Sequence, residues 1–264
     1  MSEKIIALCY DFDKTLSPDD MQAQGFIQSV GYNTEDFWRE SACLARENEM
    51  DSNLAYMYMM VDKAKGRFDL TKKTLHDFGA KIKLYEGVTE WFDRINSYGR
   101  SRGIKIEHYI ISSGLKEMIE GTPVAEKFTA VFASSFYFDC NGIPVWPAMA
   151  VNYTNKTQFL FRISKGVLNV YDDKVNECFD SYRIPFENIV YIGDSATDIP
   201  CMKLTVKYGG SALGVYDPSV NDLSKVEKLF AEGRIGFFAR ADYTEGSPLD
   251  LKIKNIIDSK RENP

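Results

Sequence analysis

The chain has 264 residues, with 32 Lys and Arg against 38 Asp and Glu, for a formal charge of −6. Scattered and outnumbered basic residues exclude a nucleic-acid binder, whose affinity comes from clustered Lys and Arg that neutralise phosphates. A hydrophobic fraction of 44% with 27% charged residues and 9 Pro excludes disordered and collagen-like chains, and the length allows an α/β core with a smaller inserted domain.

The N-terminus carries only a short apolar run, Ile5 to Tyr10, before an acid. That is too short for the apolar region of a secretion signal, and no run approaches the roughly 18 apolar residues of a membrane span. Cys9, Cys43, Cys140, Cys178 and Cys201 are widely spaced, odd in number and lack a Cys-x-x-Cys pair. They read as small buried hydrophobes in a reducing cytoplasm, with no disulfide framework, zinc ribbon or membrane partner expected.

In chain order, Ile5 to Tyr10 is the first predicted strand, continuous rather than alternating in hydrophobicity, as a strand buried on both faces requires. It ends in Asp11-Phe12-Asp13-Lys14-Thr15. About ninety residues separate it from the next such run, far more than one crossover needs. Residues 17–85 are therefore expected to form an inserted helical domain, with apolar stripes at Phe26-Ile27-Val30, Phe37 to Leu44 and Leu54 to Val61. Val88, Trp91, Phe92 and Ile95 then mark a crossover helix. Tyr109-Ile110-Ile111 is the second strand and ends in Ser112-Ser113-Gly114. After Val131, Phe136-Tyr137-Phe138 and Ile143 to Trp146 flank Asn141-Gly142, which predicts a small hairpin with a tight positive-φ turn.

Further on, Thr154 or Asn155 is expected to cap a helix bearing Phe159, Leu160 and Ile163. Ile189 to Ile192 leads into Gly193-Asp194-Ser195-Ala196-Thr197-Asp198, Ser211 to Tyr216 and Ile235 to Ala239 are further strands, and Leu249 to Ile257 is a closing helix. The pattern predicts an α/β fold with a parallel sheet sandwiched by helices, residues 1–16 and 86–264 forming the core.

In such sheets ligands bind beyond the carboxyl ends of the strands, where these polar endings converge. Asp11 and Asp13 stand two residues apart, the spacing that puts extended side chains on one face. With Asp194 and Asp198 nearby, several negative charges share a small volume, which repulsion forbids unless they are protonated or neutralised. An all-oxygen ligand set completed by phosphate and water describes Mg²⁺ better than Zn²⁺. Lys156, in the first turn of its predicted helix, is placed where the helix dipole disfavours a cation, so its ammonium is expected to face an anion. Ser112, with the amides of Ser113 and Gly114, offers donors to phosphate oxygens.

Asp11-x-Asp13-x-Thr15, Ser112-Ser113-Gly114, Lys156 and Gly193-Asp194-x-x-x-Asp198 resemble, in this order, the four motifs of the haloacid dehalogenase (HAD) superfamily in its phosphatase branch. The resemblance implies a Rossmann-like fold with a helical cap, as in phosphoserine phosphatase-like members, and a small phosphomonoester as substrate. It implies that Asp11 is the nucleophile forming an aspartyl-phosphate and that Asp13 is the acid and then the base. Ser112, Ser113, Gly114 and Lys156 would hold the phosphate. Mg²⁺ would bind Asp11, Asp194 and the Asp13 carbonyl, with Asp198 orienting Lys156 or metal-bound water and Thr15 bonding within the first loop.

Each residue also has a plainer reading. Ser112 suits a turn, Asp198 suits a helix cap, Lys156 suits a surface, and Lys165 competes with Lys156 for the phosphate. The Tyr56-Met57-Tyr58-Met59-Met60 stripe reads as packing before it reads as a substrate pocket. His76 and His108 read as carrying no chemistry. Arg39, Arg46 and Arg67 are the cap residues available to grip a substrate carboxylate. A phosphotransferase or phosphomutase shares the same intermediate, a non-catalytic phosphate binder shares the same pocket, and a dehalogenase needs no acid at the Asp13 position.

Overall fold

The computed structural model describes residues 4–219 and 222–261. Residues 1–3, 220–221 and 262–264, which the expected core boundaries include, lie outside the described residues. The central sheet has seven strands in the order β4-β3-β2-β1-β5-β6-β7. These are β1 Lys4–Tyr10, β2 Ile104–Leu115, β3 Ala130–Phe138, β4 Pro144–Met149, β5 Ile189–Gly193, β6 Ser211–Tyr216 and β7 Phe237–Arg240. All neighbours pair in parallel except β3 and β4.

The strand pleat divides the core into two layers. Ile6, Leu8 and Tyr10 of β1 face one side, packed with Trp91, Phe92 and Ile95 of α5 (Val88–Arg100) and Ile253 and Ile257 of α10 (Pro248–Arg261). Ala7 and Cys9 face the other, under Phe159 and Ile163 of α7 (Thr157–Lys165), Cys201 and Met202 of α8 (Ile199–Lys207) and Val226 and Leu229 of α9 (Ser224–Ala231). A short helix, α6 (Lys116–Glu120), follows β2 directly.

Between β1 and α5 the chain forms α1 (Phe26–Ser29), α2 (Thr34–Glu47), α3 (Ser52–Ala64) and α4 (Lys72–Gly79). Asn33, Asp51 and Thr71 cap the last three through their side chains, satisfying amides that a helix start leaves unpaired. The buried side chains of these helices run on into the first core layer. Of the Tyr-Met stripe, Tyr56, Met57, Met59 and Met60 are buried, while Tyr58 points outward. Among the described residues, no helix is long and apolar enough to cross a membrane.

Three expectations are corrected. β2 begins at Ile104 rather than Tyr109, because Lys105 and Glu107 interrupt the apolar run that marks the rest of the strand. Glu107 is buried and accepts from Arg183 at 2.8 and 2.6 Å and from the Tyr109 hydroxyl at 2.6 Å. The β3–β4 turn is not a two-residue positive-φ turn, since Gly142 has φ 77° and Asn141 does not share it. Asp139 instead organises a longer loop, accepting from the amides of Asn141 at 2.9 Å and Ile143 at 2.8 Å. Finally, Cys9 and Cys201 are buried, but Cys140 and Cys178 are exposed and Cys43 is intermediate, so only two cysteines act as buried hydrophobes.

His108 is fully enclosed in the first layer. Trp91 Nε1 donates to the Tyr10 hydroxyl at 2.9 Å, which leaves the Tyr10 proton for His108 Nδ1 at 3.0 Å and the His108 Nε2 proton for Asn96 Oδ1 at 3.2 Å. Burial pushes the imidazole down to about 3, so it is neutral.

Candidate active site

The Asp11 amide extends the sheet by donating to Ile192 O at 2.9 Å, which fixes the end of β1 beside the end of β5. The chain then turns tightly, with the amides of Thr15, Leu16 and Ser17 all directed at Phe12 O and Lys14 at φ 58°. This turn places Asp11, Asp13 and Thr15 at one edge. The Phe12 amide holds Asp11 Oδ1 at 2.8 Å, and the Met21 amide holds Asp13 Oδ1 at 2.9 Å.

The parallel pairing of β2 with β3 is interrupted between Ser112 and Leu115, so Ser113 and Gly114 leave the ladder. Such a bulge frees backbone groups and re-aims side chains. The Gly114 amide turns back to Ser112 Oγ at 3.1 Å, and the Leu115 amide points at Met21 Sδ at 3.2 Å.

Lys156 arrives from a loop folded on itself by two asparagines. Asn152 Oδ1 accepts from the Thr154 amide at 2.9 Å, and Asn155 Oδ1 accepts from the Asn152 amide at 2.9 Å. The helix begins at Thr157, so Lys156 is its capping position rather than part of its first turn, and neither Thr154 nor Asn155 is the cap residue. The difference is one or two residues, within the latitude of a helix end. Lys156 is fully buried, with Nζ 2.9 Å from Asp198 Oδ1 and 3.2 Å from Asp11 Oδ2. Burial opposes its charge, and the carboxylates of Asp11 and Asp198 outweigh that and hold the ammonium protonated. Lys165 lies elsewhere, donating to Val175 O at 2.7 Å and Glu177 O at 2.9 Å.

Asp198 has both oxygens filled. Oδ1 also accepts from the Tyr191 hydroxyl at 2.7 Å, and Oδ2 accepts from the Ser195 amide and hydroxyl, each at 3.2 Å. Asp194 is open by comparison, with Thr15 Oγ1 at 3.4 Å. One oxygen from each of Asp11, Asp194 and Asp198 lies within 4.8 Å of the others. Burial, then repulsion from Asp198, pushes Asp11 up to about 6 against the pull of Lys156. Burial raises Asp194 well above the carboxylate range, with Asp198 and Asp11 adding to it, and raises Asp13 likewise with Asp20 and Asp11. Lys156 and the more distant Lys14, itself paired with Asp20, leave uncompensated negative charge among these acids, and an all-oxygen cluster of this kind fits a hard divalent cation.

The structure thus brings Asp11, Asp13, Thr15, Ser112, Lys156, Asp194 and Asp198 to one edge of the sheet, with Ser113 and Gly114 in the adjoining bulge. The three arginines are not part of it: Arg39 pairs with Asp36, Arg46 donates to Cys43 Sγ at 3.4 Å, and Arg67 lies against Gly31. Residues unforeseen from sequence are Tyr191 on Asp198, Met21 on Asp13 and Leu115, and Tyr56, whose hydroxyl donates to Ser113 O at 2.7 Å. Tyr191 falls in an apolar run and Tyr56 in a packing stripe, and neither pattern marks a polar destination.

An acidic strand edge with a buried lysine, built on a mostly parallel sheet with a β1-β5-β6 progression, defines a hydrolase of the haloacid dehalogenase type. Residues 8–203 match the haloacid dehalogenase-like hydrolase family, and the chain belongs to it. An uncharacterized protein of Borreliella burgdorferi is 32% identical over 275 residues, covering 94% of each chain. Among solved structures, a HAD family hydrolase from Salmonella enterica serovar Typhi aligns with 95% of this chain and 70% of its own, at TM-score 0.60 and 17% identity. A substrate-bound phosphoserine phosphatase aligns with 96% of this chain and 99% of its own, at TM-score 0.59 and 17% identity. A probable phosphoserine phosphatase from Vibrio cholerae aligns with 98% and 67%, at TM-score 0.60 and 14% identity. At these identities the structural likeness speaks for the fold.

Proposed function

We propose that the protein is a Mg²⁺-dependent phosphomonoesterase that hydrolyses a small phosphorylated metabolite in the cytoplasm through an aspartyl-phosphate. The observation that carries this reading is the buried Lys156, held between Asp11 and Asp198 where a phosphate oxygen needs a fixed cation. Phosphoserine phosphatases among the fold neighbours favour the same chemistry.

Asp11 attacks phosphorus in line and the P–O bond to the leaving alcohol breaks. Its Oδ1 is engaged by the Phe12 amide, so Oδ2, on the Lys156 side, is the nucleophilic atom. Asp13 has a raised pKa and gives its proton to the departing alkoxide. It then takes a proton from the water that hydrolyses the acyl-phosphate, which returns phosphate and free Asp11. The Ser112 hydroxyl and Lys156 hold the non-bridging oxygens throughout. Asp11, Asp194 and the Asp13 carbonyl would hold Mg²⁺, which neutralises nucleophile and phosphate when bound. Asp198, already saturated with donors, positions Lys156. Residues 17–85 act as a cap that excludes water and selects the leaving group.

The test is phosphate release from a panel of phosphomonoesters with Mg²⁺, beside Asp11→Asn. Turnover by the wild type and none by a folded Asp11→Asn is expected. Full activity in that variant would remove Asp11 as nucleophile, and transfer to added alcohols in preference to water would make the protein a phosphotransferase.

A further inference from the structure

We propose that Tyr56 is a positioning residue that sets the Ser112 hydroxyl as a phosphate donor and couples that setting to helix α3. The inference rests on the phosphate-binding role proposed for Ser112 and extends it to a residue outside the four motifs.

The bulge in β2 leaves the Ser113–Gly114 peptide without strand partners on either side. Such groups must be satisfied elsewhere when buried. The carbonyl of this peptide accepts from the Tyr56 hydroxyl at 2.7 Å and from Ser134 Oγ at 3.1 Å. The N–H of the same peptide donates to Ser112 Oγ at 3.1 Å. Carbonyl and N–H are opposite edges of one rigid plane. Holding the carbonyl therefore fixes the direction of the N–H, and the N–H in turn occupies an acceptor site on Ser112 Oγ. With that site filled, the Ser112 proton is left to donate outward, to a phosphate oxygen.

The second half of the proposal concerns where Tyr56 comes from. Its ring is 4% exposed and stacks edge-on against Trp38 at 5.9 Å, so the phenol has little freedom. The same helix is tied to the loop that delivers Lys156: Asn53 Nδ2 donates to Val151 O at 2.6 Å, and Asn152 Nδ2 donates to Asp51 Oδ2 at 2.6 Å. Ser134 closes the circuit, because its oxygen also accepts the Val151 amide at 3.0 Å. Helix α3 thereby reaches both phosphate-gripping elements, the Ser112 bulge and the Lys156 loop. When α3 is seated, both are set.

The experiment is a double-mutant cycle read by binding as well as by turnover. Dissociation constants for inorganic phosphate and orthovanadate with Mg²⁺ are measured by calorimetry for the wild type, Tyr56→Phe, Ser112→Ala and the double variant. Thermal midpoints and kcat and KM on an aryl phosphate are measured alongside. Tyr56→Phe keeps the ring and its packing, so a midpoint within about 4 °C of wild type is expected, with phosphate and vanadate bound about fivefold more weakly, the worth of one net hydrogen bond. In the Ser112→Ala background the same substitution should change binding no further. Ser134→Ala, which removes the other donor to the same carbonyl, should weaken binding in the same direction.

Equal losses in both backgrounds would show that Tyr56 does not act through Ser112, and unchanged binding in Tyr56→Phe would show that it does not position the turn at all. Either result overturns the proposal while leaving the phosphatase reading intact. Binding of phosphate with the expected coupling, but no ester hydrolysed, would overturn the phosphatase reading and keep this one. A wild type that binds neither anion overturns both.

Discussion

Lys156 and Asp198 form an ion pair with no solvent on either side chain, their closest atoms 2.9 Å apart, and Asp11 Oδ2 lies 3.2 Å from the same ammonium. A buried pair costs several kcal/mol per ion in lost hydration and holds only where further hydrogen bonds complete it. Here Tyr191 and Ser195 supply them to Asp198. The pair therefore keeps a cation fixed beside the Asp11 carboxylate, as the proposed attack of one anionic group on another requires.

Lys156→Met tests this. It preserves most of the side-chain volume but leaves Asp11, Asp194 and Asp198 without their cation. Unfolding by urea at neutral pH should show a loss of about 3–5 kcal/mol, part of which returns as the solution is acidified and the carboxyl groups take up protons. Turnover should fall by about 10²-fold or more. Unaltered stability at neutral pH would contradict a structural charge balance around Lys156.

The proposed Mg²⁺ site has its own signature. In the wild type, Mg²⁺ should relieve the repulsion among Asp11 and Asp194 and raise the thermal midpoint, with stabilisation of about 2.7 kcal/mol at a hundredfold excess over the dissociation constant. Asp194→Asn should abolish the metal-dependent rise. Asp198→Asn should keep part of it, because the oxygens of Asp198 are already occupied by Lys156, Tyr191 and Ser195. If Asp198→Asn removed the response and Asp194→Asn did not, the assignment of ligand and support would be reversed.

Much of this site was legible because its strands advertise themselves. Ile6 to Tyr10 and Ile189 to Ile192 are buried, with side chains on both faces, and the need for continuous apolar side chains leaves an unbroken run that stops where the acidic cluster starts. The first half of β2 lacked that mark. Glu107 lies within it, and beside its near neighbours Tyr109 and Lys105 it takes a two-pronged guanidinium contact from Arg183, 76 residues further along. No local window contains both. Tyr56 fails for the same reason, since its hydroxyl meets Ser113 O 57 residues away. Spacing exposes residues that share a loop, whereas a side chain that supports the loop from another element carries no spacing to read.

His108 contributes to the loss of stability toward acid. Its folded pKa of about 3 lies below the ordinary 6.5, so the unfolded chain takes up a proton that the folded chain refuses. The stability it contributes is complete above pH 6.5 and is lost as pH falls toward 3, at about 1.4 kcal/mol per pH unit. Asp11, Asp13 and Asp194, whose pKa values are raised, act in the opposite sense over part of this range. The diagnostic quantity is therefore the difference between the wild type and His108→Gln, which cannot titrate. Urea unfolding between pH 7 and 5 should give curves that converge as pH falls, and parallel curves would mean that the imidazole is not held neutral.

Gly193 is required by its neighbour across the turn rather than by backbone freedom. A β-carbon there would lie 2.6 Å from both Asp198 Cγ and Oδ2. Asp198 cannot yield, since Lys156, Tyr191 and Ser195 hold its oxygens. Gly193→Ala should therefore cost about 1–3 kcal/mol through overpacking and displace Asp198, carrying Lys156 with it. Gly103→Ala is the contrast, because no atom lies within 4 Å of the β-carbon position, although φ 72° strains the backbone. Both variants should lose stability, the second through its unfavourable φ alone. Phosphate affinity separates them, falling in Gly193→Ala and holding in Gly103→Ala. Retained affinity in Gly193→Ala would mean that Asp198 can shift without moving Lys156, and the ion pair would then lose its claim to position the cation proposed to bind phosphate.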